Sequence, residues 1–175
     1  FHNAMVVHAA FGGSTNLILH LPAIAHAAGR RRPEVVDWDR VNRQVPRLVD
    51  VLPNGPANHV TVRAFLAGGV PEVMLHLRKM GLLEEQAITA TGHSLGENLD
   101  WWDQSERRRV FQAKLRELDN VDSEDVIMDA KGARNKGLTS TICFPTGNLC
   151  PAGSVVKSTS IDPNVVDDDG IYRHR

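Results

Sequence analysis

Gly12-Gly13-Ser14-Thr15-Asn16 places two glycines directly before two hydroxyls and an amide, where an apolar helical pattern begins. Glycines let a backbone approach a ligand closely, and the first N–H groups of a helix, joined by such side chains, can bind an anion such as a carboxylate. The same residue types also make an ordinary tight turn with an N-cap, so the run alone leaves both readings open. As an anion-binding element it offers Gly13, Ser14, Thr15 and Asn16, none of which has a pKa suited to proton transfer near neutral pH.

Eight histidines raise the question of a metal. His20 and His26 fall on different faces of one apolar helix, and His59, His76 and His93 are scattered. No pair has the i,i+4 spacing of a helical zinc site with a carboxylate in register, so they read as core or surface histidines. Cys143 and Cys150, with Pro145 and Gly147 between them, are too few and too far apart to close a zinc or iron–sulfur site. They read as inert thiols. Trp101 and Trp102 point about 100° apart on a helix, so at most one faces any site, and packing of a helix end is the simpler role. Arg30-Arg31-Arg32 and Arg107-Arg108-Arg109 have acidic neighbours and read as solvated faces.

The elements that must position the glycine run follow from periodicity. A helix over 17–28, capped by Ser14, Thr15 or Asn16, stops at Gly29. Leu17, Leu21, Ile24 and Ala28, widened by Ile18 and Ala25, predict a helix buried on several sides, with Pro22 in its early turns or at a kink. Asp37 opens a short helix through Arg43 that Pro46 ends, and 47–52 reads as a strand leading to a loop over Pro53-Asn54-Gly55-Pro56. Further helices run through 62–66, ending at Gly68-Gly69, and from Pro71 to Gly81. An extended piece at 89–92 leads to a turn of helix near 95–98. A charged helix over 104–118 then turns Val110, Phe111, Leu115 and Leu118 inward. After Leu138 the texture becomes β-branched and short, over 139–144 and 154–157, which places a domain boundary near residue 137.

Composition bounds the rest. The 175 residues are 42% hydrophobic and 23% charged, the profile of a soluble globular chain long enough to bury a core without staples. A net charge of −1 argues against a nucleic-acid or anionic-membrane surface, and 5% aromatics against a stacking platform for single strands. No apolar run approaches the roughly 20 residues of a spanning helix. Two cysteines suit a reducing, cytoplasmic setting. The chain opens at Phe1-His2-Asn3-Ala4-Met5, mid-pattern and without an initiator Met, and stops at Ile171-Tyr172-Arg173-His174-Arg175, which reads as a piece of a longer protein.

Four stretches together resemble one known family. Gly12–Asn16 running into Leu19-His20-Leu21-Pro22-Ala23-Ile24-Ala25-His26 resembles the internal signature of the dihydroxy-acid and phosphogluconate dehydratases (IlvD/Edd). Ala67-Gly68-Gly69-Val70-Pro71-Glu72-Val73-Met74 with Gly81-Leu82-Leu83, then Thr91-Gly92-His93-Ser94-Leu95-Gly96-Glu97-Asn98, are similar to its next landmarks. Gly147-Asn148-Leu149-Cys150-Pro151-Ala152-Gly153-Ser154-Val155-Val156-Lys157 resembles a fourth, and the order is the family's. Asn98-Leu99-Asp100-Trp101-Trp102, Ser105-Glu106-Arg107-Arg108 and Leu138-Thr139-Ser140-Thr141 look most like the aldonate-dehydrating branch, whose members include D-xylonate dehydratases. Cys150 and Ala152 depart from the alanine and glutamate more usual there.

The resemblance implies an α/β fold. Residues 1–137 would be the closing part of a layered α/β domain, and 138–175 the incomplete start of a C-terminal β-barrel-like domain. It implies a hydro-lyase that removes water from a sugar acid such as xylonate to give a 2-keto-3-deoxy acid. In the family, magnesium binds the substrate and an iron–sulfur cluster assists departure of the 3-hydroxyl, while a downstream serine is the base. The cluster cysteines and metal carboxylates of those motifs are not matched in this chain, so it carries no catalytic or metal-binding residue of its own, and by itself it should be inert and colourless. Its partners would be the sugar acid, the remainder of its own chain and a second copy in a homo-oligomer. Two other classes stay open from the residues alone: a small-anion-binding module without chemistry, and a structural, dimer-forming segment built on the apolar helix. The chain length and stereochemistry of the acid are not legible.

Overall fold

The computed structural model describes residues 1–54, 57, 59–161, 163–165 and 167–169. Its first helix, α1 (His2–Phe11), stops because Gly12 adopts the left-handed conformation (φ 70°, ψ 46°), which turns the N–H groups of Gly12 and Gly13 back onto Ala9 and His8. The next, α2 (Asn16–Ala27), closes in a Schellman motif in which Gly29 donates to the His26 carbonyl at 3.0 Å and Arg30 to that of Ala25 at 2.8 Å. Pro22 lies inside α2 without ending it. The all-round burial predicted for this helix is not found. Leu21 and Ala25 are buried, but Leu19 is 73% and Ile24 55% exposed. Apolar composition sets how much face a helix can bury, not how much protein lies against it in this chain.

Helix α3 (Val35–Gln44) starts before Asp37, because Glu34 is its N-cap and Asp37 the third residue of a capping box, its Oδ2 accepting the Glu34 N–H at 3.0 Å. Residues 47–52 form no regular strand. They pass through the core with one isolated bridge, Val49 to Ile127. Their backbone pairs instead with a helix end and a non-strand stretch: Leu48 donates to the Ala10 carbonyl at 2.8 Å, Asp50 to that of Val126 at 2.9 Å, and Met128 donates to Leu48 at 3.0 Å. A short continuous apolar run signals burial, and periodicity cannot say what will pair with it. Gly55 and Pro56 of the predicted loop lie outside the described residues.

The helices α4 (Thr61–Leu66) and α5 (Gly69–Lys79) follow, with Pro71 in the first turn of α5 as expected. The single turn expected near Leu95 is a full helix, α6 (Leu95–Gln104), nucleated by a capping box between Ser94 and Glu97. Ser105 ends it and caps α7 (Glu106–Asp119). Of the four side chains predicted to face inward on α7, Leu115 is buried and Phe111 half-buried, while Val110 and Leu118 are exposed. Short helices α8 (Ser123–Val126) and α9 (Ala130–Asn135) precede the antiparallel pair β1 (Ile142–Cys143) and β2 (Val156–Lys157), in register Ile142 to Lys157. The expected change of texture after Leu138 is therefore real, and the chain is of mixed α/β type. Of the β-rich stretch, residues 162, 166 and 170–175 lie outside the description.

The core lies where α1 meets α3 and α5, and where α4 meets α7 and α8. Val6, Val41, Leu48, Val73, Leu77 and Leu115 are fully buried within it. A smaller cluster of Leu75, Leu95, Leu99 and Trp102 joins α5 to α6. Beside it sits Glu72, 6% exposed, clasped by Arg108 through two bonds of 2.6 and 2.7 Å and by Trp102 Nε1 at 3.3 Å. Arg108 is thus no solvated member of its triplet. A carboxylate this deep requires its partner, and removing one member of such a pair strands the other. Arg108→Met in the full-length protein is expected to lower stability by about 2–4 kcal/mol, read as a lower urea midpoint at unchanged slope. The double variant Glu72→Met/Arg108→Met should recover most of the loss.

Candidate functional site

The run Gly12–Asn16 joins the C-terminus of α1 to the N-terminus of α2. Its conformation is set by side chains beneath it. His8 Nε2 lies 2.8 Å from the Ser14 carbonyl oxygen, which can only accept, so this nitrogen carries the proton. The His8 ring is buried, packs edge-on against Trp38 at 5.3 Å, and fills the space that a Cβ on Gly13 would need. Burial holds the His8 pKa below 6.5; the Lys157 charge adds to this, and the bond to Ser14 opposes it. On the other side, Asn54 Nδ2 donates to the Gly12 carbonyl at 2.6 Å. Thr141 and Arg47 close the pocket around Gly12, since a Cβ there would lie 2.9 Å from Thr141 Cγ2 and 3.2 Å from Arg47 Cδ.

With the Gly12 and Ser14 carbonyls both held from below, the turn keeps its donors free. The Ser14 and Thr15 N–H groups, the Thr15 hydroxyl and the Asn16 amide have no hydrogen-bond partner among the described residues. Side-chain capping of α2 is not observed. Thr15 occupies the N-cap position but in the αR region (φ −57°, ψ −21°), whereas a capping side chain needs the extended region, and Ser14 Oγ instead accepts the Asn16 N–H at 3.2 Å. The structure thus brings Gly13, Ser14, Thr15 and Asn16 together as a donor-rich turn, with Ser14 and Asn16 exposed and Thr15 half-buried. A cleft of ≈ 620 Å³ beside the end of α3, lined by Arg43, Arg47, Arg134, Thr139 and Cys143 among others, does not include the turn.

The other candidates stay apart. His20 and His26 are exposed on α2, while His59 is buried and His76 half-buried. Among the described residues no three His, Cys, Asp or Glu side chains come together to hold a metal, and Cys143 and Cys150 are both exposed. The donors described here therefore do not fit an iron–sulfur or a magnesium site. Trp102 packs as expected, while Trp101, 63% exposed, borders a hollow with Thr91, His93, Glu97 and Asn98. The Asn98 amide there is already satisfied by Thr89 and Thr91 at 2.7 and 3.0 Å. His8, Asn54 and Arg47 were not legible as parts of the turn. Asn54 lies in a Pro-Asn-Gly sequence that reads only as a loop, and no spacing rule joins residue 54 to residue 12.

A sequence profile described as "Dihydroxy-acid/6-phosphogluconate dehydratase N-terminal" matches residues 1–98. The chain is 66% identical to D-xylonate dehydratase YagF of Escherichia coli (strain K12) over 172 residues, which are 98% of this chain and 26% of that protein. It is 61% identical to D-xylonate dehydratase YjhG of the same strain over 173 residues, 99% of this chain and 26% of that protein. With L-arabinonate dehydratase of Rhizobium leguminosarum bv. trifolii (strain WSM2304) it shares 36% identity over 168 residues, 95% of this chain and 25% of that protein. The chain thus spans about a quarter of the length of the curated relatives it matches.

The buried histidine beneath the turn gives a pH signature. A depressed His8 pKa means that the unfolded chain binds the proton more readily than the folded one. His8's contribution is fully present above about pH 6.5 and is lost as pH falls below it towards the depressed value. Burial lowers His59 and His76 as well, with the same sign. The Tm of the full-length protein is expected to fall between about pH 7 and pH 5, and less steeply in His8→Gln. Parallel pH profiles for the two proteins would remove His8 from this account.

Proposed function

The chain belongs to the dihydroxy-acid/6-phosphogluconate dehydratase family, and from that premise we propose that it is an internal part of a hydro-lyase acting on an aldonate such as D-xylonate. The observation that carries this reading is the 66% and 61% identity to two D-xylonate dehydratases over nearly the whole chain. The reaction removes the C2 hydrogen and the C3 hydroxyl of a 2,3-dihydroxy acid as water, and the enol formed becomes a 2-keto-3-deoxy acid. Nothing observed favours a stand-alone anion-binding module or a purely structural segment.

In this reading residues 1–137 complete a layered α/β domain and 138–175 begin a β-barrel-like C-terminal domain. The strand pair β1–β2 and the shift to β-branched sequence support that division. The whole enzyme is cytoplasmic and homo-oligomeric; no helix among the described residues is long and apolar enough to cross a membrane. An iron–sulfur cluster and Mg²⁺ would take their ligands from outside this stretch and would supply Lewis acidity, the magnesium towards the bound acid and the cluster towards its 3-hydroxyl. The present residues act on the substrate alone. Gly13 leaves room for the His8 ring that shapes the bend, while the N–H groups of Ser14 and Thr15, the Thr15 hydroxyl and the Asn16 amide hydrogen-bond the hydroxyls and carboxylate of the acid. No group of the turn exchanges a proton with carbon.

The test is direct. The full-length protein, loaded with its metals, should convert D-xylonate to the 2-keto-3-deoxy acid, and failure to turn over any aldonate would end this reading. Thr15→Val or Asn16→Ala in that enzyme is expected to lower kcat/KM by about ten- to a hundredfold, the effect of losing roughly 1–3 kcal/mol of hydrogen bonding. Full activity with a Tm several degrees lower would make the turn a helix start and nothing more.

A further inference from the structure

A peptide unit flanked by glycine on both sides can rotate at little steric cost. The unit between Gly12 and Gly13 is of this kind, and it precedes the turn's free donors. It is held at both ends: the Gly13 N–H donates to the His8 carbonyl at 2.9 Å, a local bond of the stop of α1, and the Gly12 oxygen on the opposite side needs a partner of its own. The partner of the oxygen is a side chain remote in sequence, Asn54, whose Nδ2 holds the Gly12 carbonyl at 2.6 Å.

Each polar group of Asn54 is committed. Its N–H donates to the Val51 carbonyl at 2.8 Å, its own carbonyl accepts from Arg47 Nη1, and its Oδ1 accepts the Thr159 hydroxyl at 2.8 Å. Asn54 as a whole is 8% exposed, so water does not substitute freely for these partners. A carboxamide offers a donor on one arm and an acceptor on the other. By donating to Oδ1, the Thr159 hydroxyl fixes which arm is which, and the N–H₂ arm is left for Gly12. Thr159 is delivered by β2: Ser158 N donates to the Thr141 carbonyl at 2.9 Å, and Thr141 itself packs against Gly12.

We propose that Asn54 is a positioning residue for the substrate-binding turn, holding the Gly12–Gly13 peptide in the orientation that leaves the donors free, and that Thr159 sets the sense of the Asn54 amide. This rests on the substrate-binding role of the turn proposed above. Neither residue touches substrate; both act through Gly12.

The experiment compares Thr159→Val, Thr159→Ser and Asn54→Asp with the parent full-length enzyme, using D-xylonate, and records kcat, KM and Tm for each. Thr159→Val removes the hydroxyl at nearly constant volume and is expected to raise KM about tenfold with kcat changed less than about twofold. Thr159→Ser restores the hydroxyl and should return KM to the parent value. Asn54→Asp sets an acceptor against the Gly12 carbonyl and should raise KM further. If KM stays at the parent value in Thr159→Val and Asn54→Asp, or rises equally in Thr159→Ser and Thr159→Val, or follows Tm alone, the proposal is wrong. Thr15→Val is the control: if it too leaves kcat/KM intact, the binding role of the turn has failed, whereas loss in Thr15→Val beside unchanged Asn54→Asp sinks only the positioning role. A parent protein that neither binds nor turns over D-xylonate ends both.

Discussion

Polar atoms taken out of water need partners, and around Gly12 that requirement joins parts of the chain that have nothing else in common. The Gly12 carbonyl, the Asn54 amide, the Arg47 guanidinium and the Thr159 hydroxyl lie together because leaving any of them unpaired in the interior costs about 1–3 kcal/mol. The local α-helical geometry of α1 and α2 does not supply those partners. It supplies only a stop and a start, and the bend between them is decided by what lies underneath. The glycines are needed because the His8 ring and the Thr141 methyl occupy the space a Cβ would take.

A second constraint of the same kind works at the far side of the core. Glu72 is buried at the start of α5, and its charge is tolerable because Arg108 and Trp102 reach it from α7 and α6. The two networks divide the labour. One fixes how the helices α5 to α7 sit on one another; the other fixes a short backbone bend at the surface.

What was legible in the sequence was local. The left-handed stop at Gly29, Pro71 in a first turn and the strand texture after Leu138 each depend on neighbours a few residues away, and the structure agrees. The resemblance of four ordered motifs carried the family. What was not legible was pairing at distance. The run 47–52 is apolar enough to be a strand, but a strand needs a ladder, and its partners are a helix end and residues 126–128. Arg108 sits in a triplet that looks solvated, and only the helix packing shows that one of the three points at a buried acid. Ser14, Thr15 and Asn16 all have capping chemistry, yet the αR backbone at Thr15 takes its hydroxyl out of reach of the helix N–H groups. The face of α2 is apolar, but the burial expected for it needs covering protein, and none of the described residues covers Leu19 and Ile24.

The tie from Thr159 to Asn54 has a consequence for the order of events during synthesis. The stretch that bends at Gly12 leaves the ribosome long before the residue that locks the carboxamide beneath it. Contacts of such wide sequence separation form late, because a large loop has to close first. Through most of its manufacture the bend therefore has only its local ties, from Gly13 to the His8 carbonyl and from the His8 ring to Ser14, and the tie through Asn54 to Thr159 is completed with the strand pair. The nascent helices can find their places on the core before that, and the carboxamide is tied on both sides only in chains whose later segment has already come home.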